Sequence, residues 1–317
     1  MKFSVVVPVY NNASLISRCI SSVLTQSFED FELIIVDDGS TDDLNSEVMK
    51  YMDKRIIYVK KDNGGVSSAR NTGILSSNGD YVCFLDSDDE YCENHLLVLN
   101  DLINKYPEAG IYATSHITLL MDGSKKYSSE YLSPILNNRE DAETDDGFQY
   151  ILRAKSDIIH TNSMCIKRSC FDSMGMFTLG ESNGEDLDVW YRMIGNYKFV
   201  ITVIPTTIRH REDSGLSRTI RFVKNPAYLN ALKSIINDNK ANENIRRHAK
   251  FMLYRYKISE ANNEILCGNR YRALCILISI RPNVYNYKKL VRAYICLPIP
   301  RNILLRVYGN RRNNFYA

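Results

Sequence analysis

Three carboxylates, Asp86, Asp88 and Asp89, fall within four positions, directly after the apolar run Tyr81-Val-Cys-Phe-Leu85. Like charges this close resist ionising together. A divalent cation is the least costly way to hold them, and hard oxygen ligands suit Mg²⁺ or Mn²⁺. The plainer alternative is an acidic turn ahead of a helix start at residues 90–94. A second acidic pair, Asp37-Asp38, closes another apolar run and leads into Gly39-Ser40. There a carboxylate either meets a ligand or bonds the backbone of its own turn. A third pair, Glu185-Asp186, follows Gly184 and opens an amphipathic stretch through Asp188, Trp190 and Arg192. At the least, these acids stabilise a helix N-terminus.

The elements that position these groups alternate. Residues 3–8, 31–36, 56–59 and 81–85 are apolar enough to be strands buried on both faces, as in a parallel sheet. Between them, Leu15, Ile16, Cys19, Ile20, Val23 and Leu24 repeat with helical periodicity from Ser14. A helix capped near Thr41-Asp42 runs to about residue 53, and another spans 66–76 after the loop Lys61-Asp-Asn-Gly-Gly65. That order predicts right-handed crossovers and a mostly parallel α/β sheet. Ligands of such sheets lie beyond the carboxyl ends of the strands. Pro8 and Tyr10, Asp37 and Asp38, and Asp86 and Asp88 all fall on that one edge. The glycine loop has neither the GxGxxG spacing of dinucleotide binders nor the Gly-Lys-Ser/Thr of a P-loop. Further on, the pattern predicts a helix at 94–106, a strand at 110–120 and a polar covering loop or surface insertion at 121–147. A strand at 160–167, a short helix at 171–177 and a strand at 197–204 ended by Pro205 follow. From about residue 225 the chain is expected to be helical: two helices between 226 and 266, then 270–280, 284–296 and 303–308.

Of 317 residues 44% are apolar, ample for a core. Eight cysteines show no CxxC spacing and no cluster with histidine, so the expectation is a reducing compartment, without structural zinc or a disulfide framework. Met1-Lys2 leads straight into a strand pattern, and no stretch reaches the roughly 18–20 apolar residues of a membrane span. A cytoplasmic protein is expected. The net charge of +3 hides an asymmetry: residues 1–217 carry −13 and residues 218–317 carry +16.

The motifs Val5-Val-Val-Pro-Val-Tyr-Asn11, Val36-Asp-Asp-Gly-Ser40, Asn63-Gly-Gly-Val-Ser-Ser-Ala-Arg-Asn71, Asp86-Ser-Asp-Asp89, Gly184-Glu-Asp186 and Arg209-His210 occur in that order. Together they resemble a family 2 glycosyltransferase with the GT-A fold, over residues 1 to about 217. The resemblance implies an inverting, metal-dependent transfer of a sugar from a nucleotide donor, a UDP-sugar, to a hydroxyl of a glycan or lipid-linked oligosaccharide. The pathway it suggests is bacterial capsule or lipopolysaccharide O-antigen synthesis. It implies that Pro8 and Tyr10 line a base pocket, that Asp38 bonds the base, and that Arg70 faces the nucleotide. By the same resemblance Asp86 and Asp88 serve the donor, with Asp88 on the ribose or the metal. Asp89 or Asp88 would hold Mn²⁺ or Mg²⁺, with His210 beside the metal or diphosphate. Asp186, or Glu185 in its place, would be the general base that takes the acceptor's proton. Asp188 would face away or support that site, and Trp190 would stack on a sugar or, more simply, fill core. His95, His116, His160 and His248 receive no role.

The expected organisation is a catalytic domain over 1–220 and a basic helical region over 221–317. Three uses fit the basic region: peripheral contact with an anionic inner membrane leaflet, docking on the acidic body, or homo-oligomerisation. No nucleic-acid-binding module is visible. A nucleotidyltransferase would need a cationic glycine loop after the first strand, where Val9-Tyr-Asn-Asn-Ala13 stands. A catalytically dead nucleotide-binding scaffold would have lost the acids at 86–89 or 185–186, and both sets are intact.

Overall fold

The computed structural model describes residues 3–154, 157–181, 184–211 and 225–308. It divides into two compact units, Met1–Gly215 and Leu216–Ala317.

In the first unit β1 (Phe3–Val9) lies parallel between β2 (Phe31–Asp37) and β4 (Tyr81–Phe84), and β3 (Ile56–Lys60) extends the sheet beyond β2. Every residue of β1 and β2 is buried, which is why both read as mostly apolar runs, and the buried Ser4 hydroxyl donates to Glu32 Oε1 at 2.6 Å. Pro8 pairs with Val36 past the last β1 residue matched to β4, where β1 has a partner on one side and its missing N–H breaks little. The crossover helices are α1 (Ile16–Leu24), the short α2 (Leu44–Val48) and α3 (Val66–Ser76). Helix α3 packs closest to the sheet at Gly73, where an added Cβ would stand 2.2 Å from Val6 Cγ1.

The sheet order is β3-β2-β1-β4-β9-β6-β10-β5. Its second half contains β5 (Glu90–Tyr91), β6 (Ile111–Leu119), β9 (Met164–Lys167) and β10 (Phe199–His210), with α4 (His95–Lys105) between β5 and β6. Strand β9 is antiparallel to both β4 and β6, whereas β10 is parallel to β6. The polar stretch after β6 is more ordered than its composition suggests. It holds β7 (Lys125–Tyr127), α5 (Ser129–Leu132), β8 (Asp141–Thr144) and α6 (Phe148–Arg153), anchored by buried Leu132, Leu136 and Phe148. Helices α7 (Arg168–Met174) and α8 (Glu185–Ile194) complete the unit.

Three expected elements differ. Pro205 does not end a strand: β10 continues to His210 by shifting register on either side of Pro205, and the irregularity absorbs the missing N–H. The strand expected over 160–167 begins only at Met164. Thr161–Ser163 form a 3-10 turn, because the His160 ring accepts from the Asn162 N–H while Ser163 Oγ bonds back to His160. Helix α2 stops at Val48, several residues short of expectation.

The second unit is helical: α9 (Tyr228–Asn237), α10 (Glu243–Cys267), α11 (Arg270–Ile278), α12 (Tyr287–Cys296) and α13 (Arg301–Tyr308). Asn242 caps α10 by accepting from the Asn244 N–H, and Gly268 ends it with φ +90°. Ile258, Ile265, Leu277, Leu290 and Leu304 share a core of this unit's own residues. No helix of the described residues is long and apolar enough to cross a membrane.

Candidate active site

Strand β4 delivers the acidic turn. The Leu85 N–H still donates to Val6 O at 3.0 Å, and the chain then turns so that the Asp89 N–H meets Asp86 O. Asn162, from the 3-10 turn, clamps the result. Its Oδ1 accepts the Asp86 N–H at 3.0 Å and its Nδ2 donates to Asp89 Oδ2 at 2.5 Å. The His210 N–H donates to the other Asp89 oxygen at 2.7 Å. Arg18 donates to Asp88 O, and Asn12 Nδ2 donates to Ser87 Oγ at 2.8 Å, tying the turn to the loop after β1.

The charges in this turn are unequal. Asp89, 3% exposed, is pushed up to about 7 by burial and by the negative charges of Asp86 and Asp88. Asp88 is raised by the same two causes, burial and Asp86. Asp86 is also held from ionising by burial, but the Arg70 guanidinium outweighs that and keeps its carboxyl below the usual range. Burial pushes His160 down to about 3, leaving it neutral at physiological pH. Asp86, Asp89 and His160 each offer a ligand atom, and these atoms lie within 4.8 Å of one another. Two carboxylates and a neutral imidazole form a donor set that fits Mn²⁺ or Mg²⁺, and a cation there would relieve the repulsion that lifts Asp89.

This grouping differs from the set expected from sequence, Asp88 or Asp89 with His210, and shares only Asp89 with it. Asp88 and His210 are not in the cluster. Strand β10 brings its backbone, not its imidazole, to Asp89, and His210 Nε2 lies 3.0 Å from Glu90 Oε1. His160, given no role on sequence, is the histidine that lies beside Asp86 and Asp89. The available signal was the run His160-Thr161-Asn162-Ser163, too polar for a strand buried on both faces and better suited to a turn.

Arg70 joins the second acidic group to the first. It projects from α3, is 4% exposed, and donates to Asp86 Oδ1 at 3.0 Å and to Glu185 Oε1 at 3.2 Å. The Phe177 ring lies beneath it, 5.3 Å from the guanidinium carbon. Both terminal nitrogens of Arg70, expected to face the nucleotide, are thus engaged by carboxylates. At the N-terminus of α8, Asp186 Oδ1 accepts the Leu187 N–H at 2.7 Å and Oδ2 accepts from Thr161 Oγ1 at 3.4 Å. Burial and the adjoining Glu185 charge raise Asp186 above the usual carboxylate range. Asp188 faces away from this group: its Oδ2 accepts from Thr178 and Arg192, and Arg192 holds the carbonyls of Met174, Gly175 and Met176. Trp190, 2% exposed, packs against Phe84 and Phe177 as core.

Along the same edge Pro8 is buried, whereas Tyr10 is 52% exposed just past β1. Asp37 serves its own turn, accepting from the Ser40 N–H at 2.7 Å and the Tyr58 hydroxyl at 2.6 Å. Asp38 gathers the glycine loop: Lys61 Nζ at 2.6 Å, the Gly64 N–H at 3.0 Å and the Gly65 N–H at 2.7 Å all donate to its carboxylate. Gly39 takes φ +79°, and a side chain there would stand 2.7 Å from Asn63 N, so this close turn requires glycine.

A mostly parallel sheet with acids on its carboxyl edge and an acidic helix N-terminus facing them defines a GT-A fold. The family model for glycosyl transferase family 2 matches residues 4–171, and the chain belongs to that family. Among curated relatives, an uncharacterized glycosyltransferase of Rickettsia prowazekii is 30% identical over 204 residues, 60% of this chain and 57% of its own length. A poly(ribitol-phosphate) beta-glucosyltransferase of Bacillus spizizenii is 43% identical over 95 residues, 28% of this chain and 15% of its own. The matched part thus spans less than two thirds of either relative. Among solved structures, S. aureus TarS 1-349 in complex with UDP-GlcNAc superposes with a TM-score of 0.64 at 18% identity, covering 100% of this chain and 90% of that one. The mannosyltransferase PcManGT of Pyrobaculum calidifontis, in complex with GDP-Man and Mn²⁺, gives 0.59 at 16% identity, covering 99% and 81%.

Proposed function

We propose that the chain is a metal-dependent, inverting glycosyltransferase that moves a sugar from a UDP-sugar to a hydroxyl of a glycan or lipid-linked oligosaccharide in bacterial surface-polysaccharide synthesis. The observation that carries the chemistry is the Arg70 bridge. One guanidinium touches both Asp86 in the acidic turn and Glu185 beside Asp186, which supports a single site for donor and base. Asp186 is the base. Burial and the adjoining Glu185 charge raise its pKa, which makes it a better proton acceptor than an ordinary aspartate. Arg70 holds Asp86 below the usual carboxylate range and ties Glu185 to it. A divalent cation held by Asp86, Asp89 and His160 would supply the positive charge that a departing diphosphate needs. Arg209, whose charge acts on Asp86 and Asp88, adds to that field. Pro8, Tyr10 and Asp38, on the same carboxyl edge of the sheet, would receive the base of the nucleotide. The UDP-sugar donor and the surface-glycan acceptor are supported by TarS, solved with UDP-GlcNAc, and by the poly(ribitol-phosphate) glucosyltransferase relative.

Calorimetric titration of UDP, GDP and their sugars, with and without Mn²⁺, tests the donor half on wild type and Asp89→Asn. UDP binding that requires Mn²⁺ and disappears in the variant is expected. GDP preferred over UDP would replace the donor, and a folded chain that binds no nucleotide would remove the transferase reading.

A further inference from the structure

Helix α12 separates into two faces. Leu290, Ala293 and Cys296 are buried in the helical unit's own core. Tyr287, Val291, Tyr294 and Ile295 point outward, at spacings that keep them on one side of the helix. Val291 is 50% and Ile295 60% exposed, and Val284 in the preceding turn is 83% exposed. A row of uncovered apolar side chains of this kind marks a contact surface.

The surrounding charge says what it contacts. Lys288 and Arg292 border the row, and burial together with Arg255 and Arg292 pushes Lys289 down to about 8. From Ile265 to Ala317 the sequence carries ten Lys and Arg and no Asp or Glu. That uniform field selects a polyanion. A second copy docking by the same face would set these cations against each other. Nucleic acid offers phosphates but no apolar layer for Val and Ile. A bilayer containing anionic phospholipid offers both, phosphate headgroups above and an acyl boundary just beneath.

We propose that the outer face of α12 docks on an anionic phospholipid surface. Tyr287, Val291, Tyr294 and Ile295 enter the headgroup–acyl boundary, and Lys288 and Arg292 lie along the lipid phosphates. Since no described helix is long and apolar enough to cross a membrane, this contact is with its surface.

Vesicle co-sedimentation of the whole chain tests this, with phosphatidylcholine alone or mixed with phosphatidylglycerol. Binding stronger by about tenfold or more on the anionic vesicles, and weakened by added salt, is expected. The double variant Lys288→Glu/Arg292→Glu should lose the preference for phosphatidylglycerol. The variant Val291→Ser/Ile295→Ser should bind about tenfold more weakly at low salt yet keep its salt dependence. Val291 and Ile295 are exposed, so the melting temperature and nucleotide binding of Val291→Ser/Ile295→Ser should match wild type. Equal binding to both vesicle types, or variants that bind like wild type, would overturn the proposal. So would a dimer seen by analytical ultracentrifugation that Val291→Ser/Ile295→Ser dissolves, since the face would then belong to a second copy.

Discussion

Asp89 is held by two donors, the Asn162 amide and the His210 N–H, yet its pKa stands near 7 because burial and two neighbouring carboxylates prevail. A carboxyl that binds its proton more tightly when folded contributes stability below its unfolded value, 3.8, and loses that contribution as pH rises through about 7. The cation-free chain should therefore melt at lower temperature as pH rises through about 7. Mn²⁺ should raise the melting temperature more at about pH 8 than at about pH 5, because it binds the ionised pair. Thermal scans with chelator and with Mn²⁺ measure both effects, and Asp89→Asn should flatten both. Asp186 makes a different prediction. Asp186→Asn should lower kcat by about 10²–10⁴ with little change in UDP affinity. In wild type the acid limb of kcat should titrate above the ordinary aspartate value, since burial and Glu185 raise Asp186. An unaltered kcat in Asp186→Asn would move the base elsewhere, with Glu185 the next to test.

The elements act as clamps on these residues. The 3-10 turn Thr161–Ser163 places His160 and Asn162 on the acidic turn although it is some seventy residues away in sequence, a separation that no local pattern reveals. Removing the Asn162 amide leaves the Asp86 N–H and one Asp89 oxygen buried without those partners. Asn162→Ala should destabilise the fold by about 1–3 kcal/mol and weaken Mn²⁺ binding in the same variant, read by denaturant unfolding and by titration. Helix α3, which carries Arg70, is seated through Gly73 on Val6. Gly73→Ala should destabilise by about 1–3 kcal/mol. Adding Val6→Ala should recover part of that loss, a coupling that a double-mutant cycle detects.

At the scale of the molecule, the parallel sheet and the helical unit each close a core of their own residues. UDP with Mn²⁺ should accordingly slow amide hydrogen exchange in the turns at 37–40, 86–89 and 160–163, while α10 and α11 exchange as they do without ligand. Mass-spectrometric exchange with and without the nucleotide measures this. Strong protection spreading through α10 would show the two cores to be coupled. The charge asymmetry belongs to this scale too: acids concentrate in the unit that bears the candidate site, and the helical unit carries the positive excess.

Much of the first unit was legible in the sequence because parallel strands buried on both faces read as apolar runs, and each run here ends in a turn of distinctive residues. Asp37 and Asp86 could be placed at the ends of elements for that reason alone, and Glu185 by the amphipathic helix it opens. The cluster of Asp86, Asp89 and His160 could not. Its members come from the turn after β4 and from the approach to a 3-10 turn far along the chain, which no local pattern brings together. Pro205 and the polar run at 160–163 misled for a related reason, since both sit where a strand is irregular and side chains, rather than periodicity, set the backbone. The exposed row on α12 is likewise invisible to periodicity, which marks two apolar faces without saying which one the core takes. Sequence determined the alternation of strand and helix, the acids on the sheet edge and the basic tail, because these follow from local composition and spacing. Tertiary structure alone decided which acids lie beside His160, that Arg70 links the two acidic groups, and which apolar face is left uncovered, because each depends on contacts between residues distant in the chain.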